Sequence, residues 1–170
     1  MSRMVYLCGS IEGRDDGGTK WRERITPDLE KMGFIVFDPT TQETKLTGLT
    51  SEEHRVKLMS LKDAGKWDEF LTYMSKIRDQ DLLAVDNSLF IVALVPDMDG
   101  VRIGGTVHEI AKAWEKKIPV LWKCDGSPAK VNSWIMSLLL ECGTRFDTWK
   151  DMLDHVKKEI APKLKTAEKE

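Results

Sequence analysis

Apolar residues follow two rhythms along this chain. The first is a short unbroken run at residues 89–95, Leu-Phe-Ile-Val-Ala-Leu-Val, which passes directly into Pro96. It is too short to span a membrane and shows no alternation, the pattern of a parallel strand covered on both faces. Weaker runs at 4–8, 34–37, 118–122 and 144–146 read as four more strands. The second rhythm is helical: Trp21, Ile25, Leu29 and Met32 share one face of a helix predicted over 19–31. Thr19 is its expected N-cap, Pro27 a kink or break within it, and Gly33 its end. Further helices are predicted from Ser51, over 67–84, over 105–117 with Thr106 as N-cap, over 131–140 and over 148–164. Residues 40–50, rich in Thr and Gly, read as a loop. Strand and helix alternate, and such crossovers are right-handed. The expected fold is one doubly wound α/β domain over residues 1–170, with a five-stranded parallel sheet in the order 2-1-3-4-5.

Composition narrows the class without naming a chemistry. A net charge of -2 gives no electrostatic reason to bind nucleic acid or an anionic membrane. Cys8, Cys124 and Cys142 are odd in number and widely spaced, which suits reduced thiols in a cytoplasmic compartment better than disulfides. Together with His54, His108 and His155 they show no metal-ligand spacing, so a metal enzyme is not expected.

Chemistry is expected where the loops after the first and central strands meet, beyond the carboxyl ends of the sheet. The first loop, residues 9–18, holds Gly9, Gly13, Gly17 and Gly18 and could wrap a phosphate or sugar with its amides. Its spacing matches neither the dinucleotide fingerprint nor the P-loop, and a flexible connection explains it equally well. After the central strand, Gly104 and Gly105 open a helix that carries Glu109, where the helix dipole favours an ionised carboxylate. A site of carboxylates and backbone amides suits an oxocarbenium-like sugar centre: one carboxylate attacks the anomeric carbon, and a second acid protonates the leaving group.

Tyr6-Leu-Cys-Gly-Ser-Ile-Glu-Gly13, Trp21-Arg-Glu-Arg-Ile25, Asp81-Leu-Leu, Gly104-Gly-Thr-Val-His-Glu109-Ile and Arg145-Phe146 with Trp149 occur in this order. In these segments the chain resembles the nucleoside 2-deoxyribosyltransferase superfamily, and within it the 2'-deoxynucleoside 5'-phosphate N-hydrolases, over residues 4–150. The resemblance implies a Rossmann-like fold and a nucleophilic glutamate at Glu109 that forms a covalent deoxyribosyl intermediate. It implies that Asp81 orients the sugar and assists proton transfer. Gly9, Ser10, Ile11 and Gly13 would hold the sugar and, in the hydrolases, a 5'-phosphate. It also implies an enzyme without metal or organic cofactor, acting on a small nucleoside or nucleotide as a homodimer or larger assembly whose neighbouring subunit completes the pocket. Two positions depart from the hydrolase pattern. Glu12 stands where a basic residue is expected, with Arg14 as a compensating cation, and Ile103 stands where a serine is expected. Phosphate recognition is left open by both.

Blander readings stand beside these. From spacing alone Glu109 is more simply a solvated residue of an early helical turn, and the family pattern favours the nucleophile; Asp79 or Asp86 rivals Asp81. Asp97 and Asp99 contact the base or, more simply, shape a turn. Of Trp21, Tyr6 and Trp122, Trp21 is the best candidate to stack on a base, against core packing as the default. The expected reaction is cleavage of the N-glycosidic bond of a 2'-deoxyribonucleoside or its 5'-monophosphate, with water or a second base as acceptor. Its rivals are a non-catalytic nucleotide-binding module and an N-glycosidase for ribo-substrates.

Overall fold

A computed structural model describes residues 2–11, 14–96 and 103–166. Five strands form one sheet in the order β2-β1-β3-β4-β5: β1 (Met4–Gly9), β2 (Ile35–Phe37), β3 (Ser88–Pro96), β4 (Val120–Asp125) and β5 (Gly143–Arg145). Every neighbouring pair is parallel, with Tyr6 beside Ile91 and Cys8 beside Ala93 in the register of β1 with β3. This is the doubly wound fold expected from the alternation of strands and helices. The central strand β3 is buried along almost its whole length, as its unbroken apolar run requires. No helix among the described residues is long and apolar enough to cross a membrane.

Strand alternation divides the interior into two cores. Val5, Leu7, Phe90, Val92 and Leu94 face Trp21, Ile25 and Leu29 of α1 (Thr19–Lys31) and Trp149 and Met152 of α7 (Trp149–His155). Tyr6, Cys8, Ile91, Ala93 and Val95 face the opposite way. They meet Ala84 and Val85 of α4 (Trp67–Asp86), Ile110 and Ala113 of α5 (Gly104–Glu115), and Ile135 and Leu139 of α6 (Ser133–Cys142).

Several local expectations change. Residues 40–50 are mostly helical: α2 (Pro39–Thr47) starts with Asp38 as N-cap, its carboxylate accepting from the Thr40 amide, and Pro39 at the first helical position. Proline there loses no hydrogen bond, so Asp38-Pro39 ends a strand and begins a helix at once. Helix α3 (Ser51–Asp63) follows, opened by a Thr50–Glu53 capping box. Thr19 is the first residue of α1 and Gly18 its N-cap; Pro27 lies inside the helix without ending it. Thr106 is likewise inside α5, where Ile103 is the N-cap, so Glu109 stands in the second helical turn. Strand β4 continues through Cys124 and Asp125, where a loop was expected. The last helix passes from α7 through a wider π turn (Val156–Ile160) into α8 (Ala161–Thr166).

Candidate functional site

The site starts from two residues of one strand. Tyr6 and Cys8 are two apart on β1, so both side chains leave the same face of the sheet. Both meet Glu109. The Tyr6 hydroxyl donates to Glu109 Oε1 at 2.7 Å. The Cys8 thiol faces the same carboxylate and donates to the Thr106 carbonyl oxygen at 3.9 Å. Gly105 stands one turn earlier on α5, and a side chain begun there would come 3.9 Å from Glu109 Oε1. Glycine leaves that side of the carboxylate open.

Asp81, from the last turns of α4, faces the same centre. Burial, then the charges of Glu109 and Glu43, push its carboxyl up to about 8, while Arg22 pulls it down. Glu109 is also raised by burial. Against that act the Cys8 thiol, the hydrogen bond from Tyr6 and the charges of Arg22 and His108. Two carboxyl groups that repel each other share the available proton unevenly. Glu109, with two donors facing it, is the better-stabilised anion, and Asp81 holds the proton at neutral pH. Burial beside Glu109 also drives the Tyr6 hydroxyl and the Cys8 thiol well above their ordinary ranges, so both remain donors.

Arg22 closes the loop between β1 and α1. It is fully buried and gives 2.8 Å and 2.7 Å hydrogen bonds to the carbonyls of Gly9 and Gly18, the two ends of that loop. Longer bonds reach Leu7 O at 3.3 Å and 3.4 Å, and Asp38 lies 3.5 Å from its Nε. Gly18 has φ +74, and a side chain there would lie 2.4 Å from Ser10 O and 2.6 Å from Arg22 Nη1, so the clamp needs glycine. Gly9 is nearly as tight, a Cβ being 3.1 Å from Leu94 O. Ser10 is buried with no hydrogen-bond partner on its hydroxyl among the described residues.

The structure therefore brings Tyr6, Gly9, Ser10, Gly105, Thr106, Asp81 and Glu109 to the carboxyl ends of β1 and β3. Gly104 is exposed at the start of α5, and Ile11 is half-buried in the first loop. Of the three candidate acids near the end of α4, Asp79 is exposed and holds Arg78, Asp86 pairs with Lys112 at 2.9 Å, and Asp81 alone shares the field of Glu109. Trp21 is a correction. It is buried and stacked parallel on Trp149 with ring centroids 5.3 Å apart, so it packs the opposite core and offers no face to a base. Arg14 is already committed, to Asp125 at 2.6 Å and Asp16 at 3.4 Å. Gly13 and Asp97, with Glu12 and Asp99, lie outside the described residues.

Sequence reasoning missed Arg22, Asp38, Glu43, His54 and Tyr73. Glu43 and His54 are buried and paired, and His54 Nδ1 lies 2.7 Å from the Tyr73 hydroxyl. The Asp-Pro start of α2 was the available signal for Glu43, because it sets a helix under a segment that composition assigns to a loop. Among the described residues no group of three His, Cys, Asp or Glu side chains could hold a metal ion.

The sequence matches no family model, and no curated protein is similar to it by sequence. Solved structures share its fold. A 2-deoxyribosyltransferase from the psychrotolerant bacterium Bacillus psychrosaccharolyticus superposes with a TM-score of 0.62 at 17% identity, covering 95% of each chain. A conserved protein from Enterococcus faecalis V583 gives 0.55 at 17% identity, covering 94% of this chain and 100% of its own.

Proposed function

We propose that the chain is an enzyme that cleaves the N-glycosidic bond of 2'-deoxyribonucleosides through a covalent intermediate on Glu109. The observation that carries this reading is the polarised pair of carboxyl groups. Glu109 is held by Tyr6 and Cys8 as an anion, and beside it Asp81 is pushed up to about 8 and keeps its proton. One group is fitted to attack and the other to give a proton, the division of labour that glycosyl transfer needs.

A Glu109 oxygen forms a bond to C1' of the sugar as the C1'–N bond breaks. The electrons of that bond go to the base, which takes the proton of Asp81. In the second half, water or the nitrogen of another base attacks C1', Asp81 recovers a proton from it, and Glu109 leaves as the carboxylate. Gly9, Ser10, Ile11 and Gly13 of the first loop hold the sugar in this reading, and Arg22 supports the loop from behind. The neighbouring fold described as a 2-deoxyribosyltransferase supports the sugar class.

The preferred substrate in this reading is the unphosphorylated nucleoside. Arg14 already carries two carboxylates and Arg22 is occupied by backbone carbonyls, while Glu12 would repel a 5'-phosphate. The test is incubation with the common deoxynucleosides, ribonucleosides and monophosphates, with and without a second free base, followed by chromatography. Base release or exchange from deoxynucleosides is expected. It should disappear in E109A and E109Q; turnover undiminished in either variant removes Glu109 as nucleophile. Ligand bound but returned unchanged would make the protein a binding module instead.

A further inference from the structure

We propose that Glu43 is a positioning residue for the reaction: the hydrogen-bonded chain Tyr73–His54–Glu43 fixes a third carboxylate behind Asp81 and thereby keeps the proton on Asp81. The proposal rests on the reading of Asp81 as the proton donor.

The chain joins three helices that pack side by side. Glu43 lies on α2, His54 on α3 and Tyr73 on α4, and the first two are buried. An ionised carboxylate only accepts hydrogen bonds, so the His54 Nε2 that contacts Glu43 carries the hydrogen. On the other side of the ring, Nδ1 lies 2.7 Å from the Tyr73 hydroxyl. The imidazole is held from both sides, with the Tyr73 and His54 ring centroids 5.2 Å apart. Lys57 stands 4.1 Å from the centre of the Tyr73 ring and fixes its outer face. A carboxylate out of water is costly, and apolar side chains would join three helices more cheaply.

What the charge faces explains its presence. Tyr73, Ile77 and Asp81 are spaced four and eight residues apart, one stripe of α4 directed inward, with Ile77 buried between the two polar groups. Beside burial, which acts most strongly, the charged groups acting on Asp81 come from three other helices: Glu109 of α5, Glu43 of α2 and Arg22 of α1. Two anions oppose one cation, so the neutral acid is favoured. The arrangement changes during the proposed cycle. Once Glu109 is esterified to the sugar its charge is gone, and Asp81, having given up its proton, faces only Glu43 and Arg22. Asp81 is then a better anion and can accept a proton from water. Glu43, which never touches the reacting atoms, sets how far that change goes.

The test follows Asp81 directly. Protein labelled with 13C at the aspartate carboxyl carbons is titrated by NMR, and D81N identifies the Asp81 signal. E43Q keeps an oxygen for His54 and removes the charge, so the Asp81 midpoint should fall by about one pH unit. E43D, which keeps the charge, should restore most of it. Y73F removes the hydroxyl that orients His54 and so loosens Glu43, and the midpoint should fall by less. The high-pH limb of kcat/KM should move with the midpoint while KM and the low-pH rate stay near wild type, a pattern that mere loss of packing does not produce. An unmoved midpoint in folded E43Q overturns the proposal; if E43Q does not fold, an unmoved midpoint in Y73F does so. The titration needs no turnover, so failure to release base from any substrate counts against the glycosidase reading alone.

Discussion

The two faces of β1 make the most instructive contrast in the molecule. Val5 and Leu7 point into a dry core of aromatic and aliphatic side chains, including the stacked pair Trp21 and Trp149. Tyr6 and Cys8, one residue on in each case, are equally buried yet end on a carboxylate. Both faces are out of water, so burial does not distinguish them. What differs is the partner across the gap: α1 and α7 meet the side chains of Val5 and Leu7 with apolar groups, Arg22 of α1 reaching only the backbone carbonyls of β1, whereas α4 and α5 bring Asp81 and Glu109 along with their own apolar stripes. Low dielectric around apolar groups stabilises, and around paired carboxyl groups it creates reactivity.

The contrast breaks first at Asp81. D81N should lower base release about 10² to 10⁴-fold by removing the proton donor. It should also remove a stability cost. The Asp81 carboxyl is raised from 3.8 to about 8 in the folded protein, so the native state binds the extra proton between those values. Its contribution is fully present below about pH 4 and is lost as pH rises to about 8. Unfolding of D81N in denaturant at pH 8 should therefore require several kcal/mol more than wild type, and at pH 4 about the same. Activity of the wild type should decline through the same upper range. A mutant equally stable at both pH values would show that the proton is not on Asp81.

On the dry face the expectation reverses. L29A deletes a fully buried side chain of α1 and should cost about 2–5 kcal/mol in a denaturant melt. The rate per folded molecule should stay the same, measured under conditions where the mutant is native. A loss of rate without loss of stability would mean that the two faces are coupled.

The smallest change expected is at the junction. Y6F keeps the ring, stacked on Phe37 at 5.5 Å, and removes only the donor to Glu109. Turnover should fall about tenfold. Glu109 must be ionised to attack, and without the donor its carboxyl rises, so the low-pH limb of the rate profile should move to higher pH. An unchanged limb would show that the hydroxyl does not act on the carboxylate.

Much of this was legible residue by residue. The apolar run at 89–95, the helical spacing of Trp21, Ile25 and Leu29, and the strand–helix alternation dictate the sheet and its order, because each pattern is satisfied by only one kind of burial. Asp81 was visible only through resemblance, since on helix α4 it stands between Asp79 and Asp86 and nothing local separates the three. Trp21 misled because an indole suits a core and a base equally, and its neighbour Trp149 is 128 positions away. Glu43 was hidden by a run of threonines that carries no apolar stripe, although Asp38 and Pro39 announce the helix beneath it.

The sequence by itself determined the five strands, the helices that cross between them, and the presence of a glycine-opened helix bearing Glu109. Tertiary structure alone decided which charges meet. Local patterns report how each segment is buried, which the segment itself dictates, whereas the ionisation of Asp81 depends on Glu109, Glu43 and Arg22, brought from three other helices. Electrostatic energy depends on distance in space, and that distance exists only after the sheet has assembled.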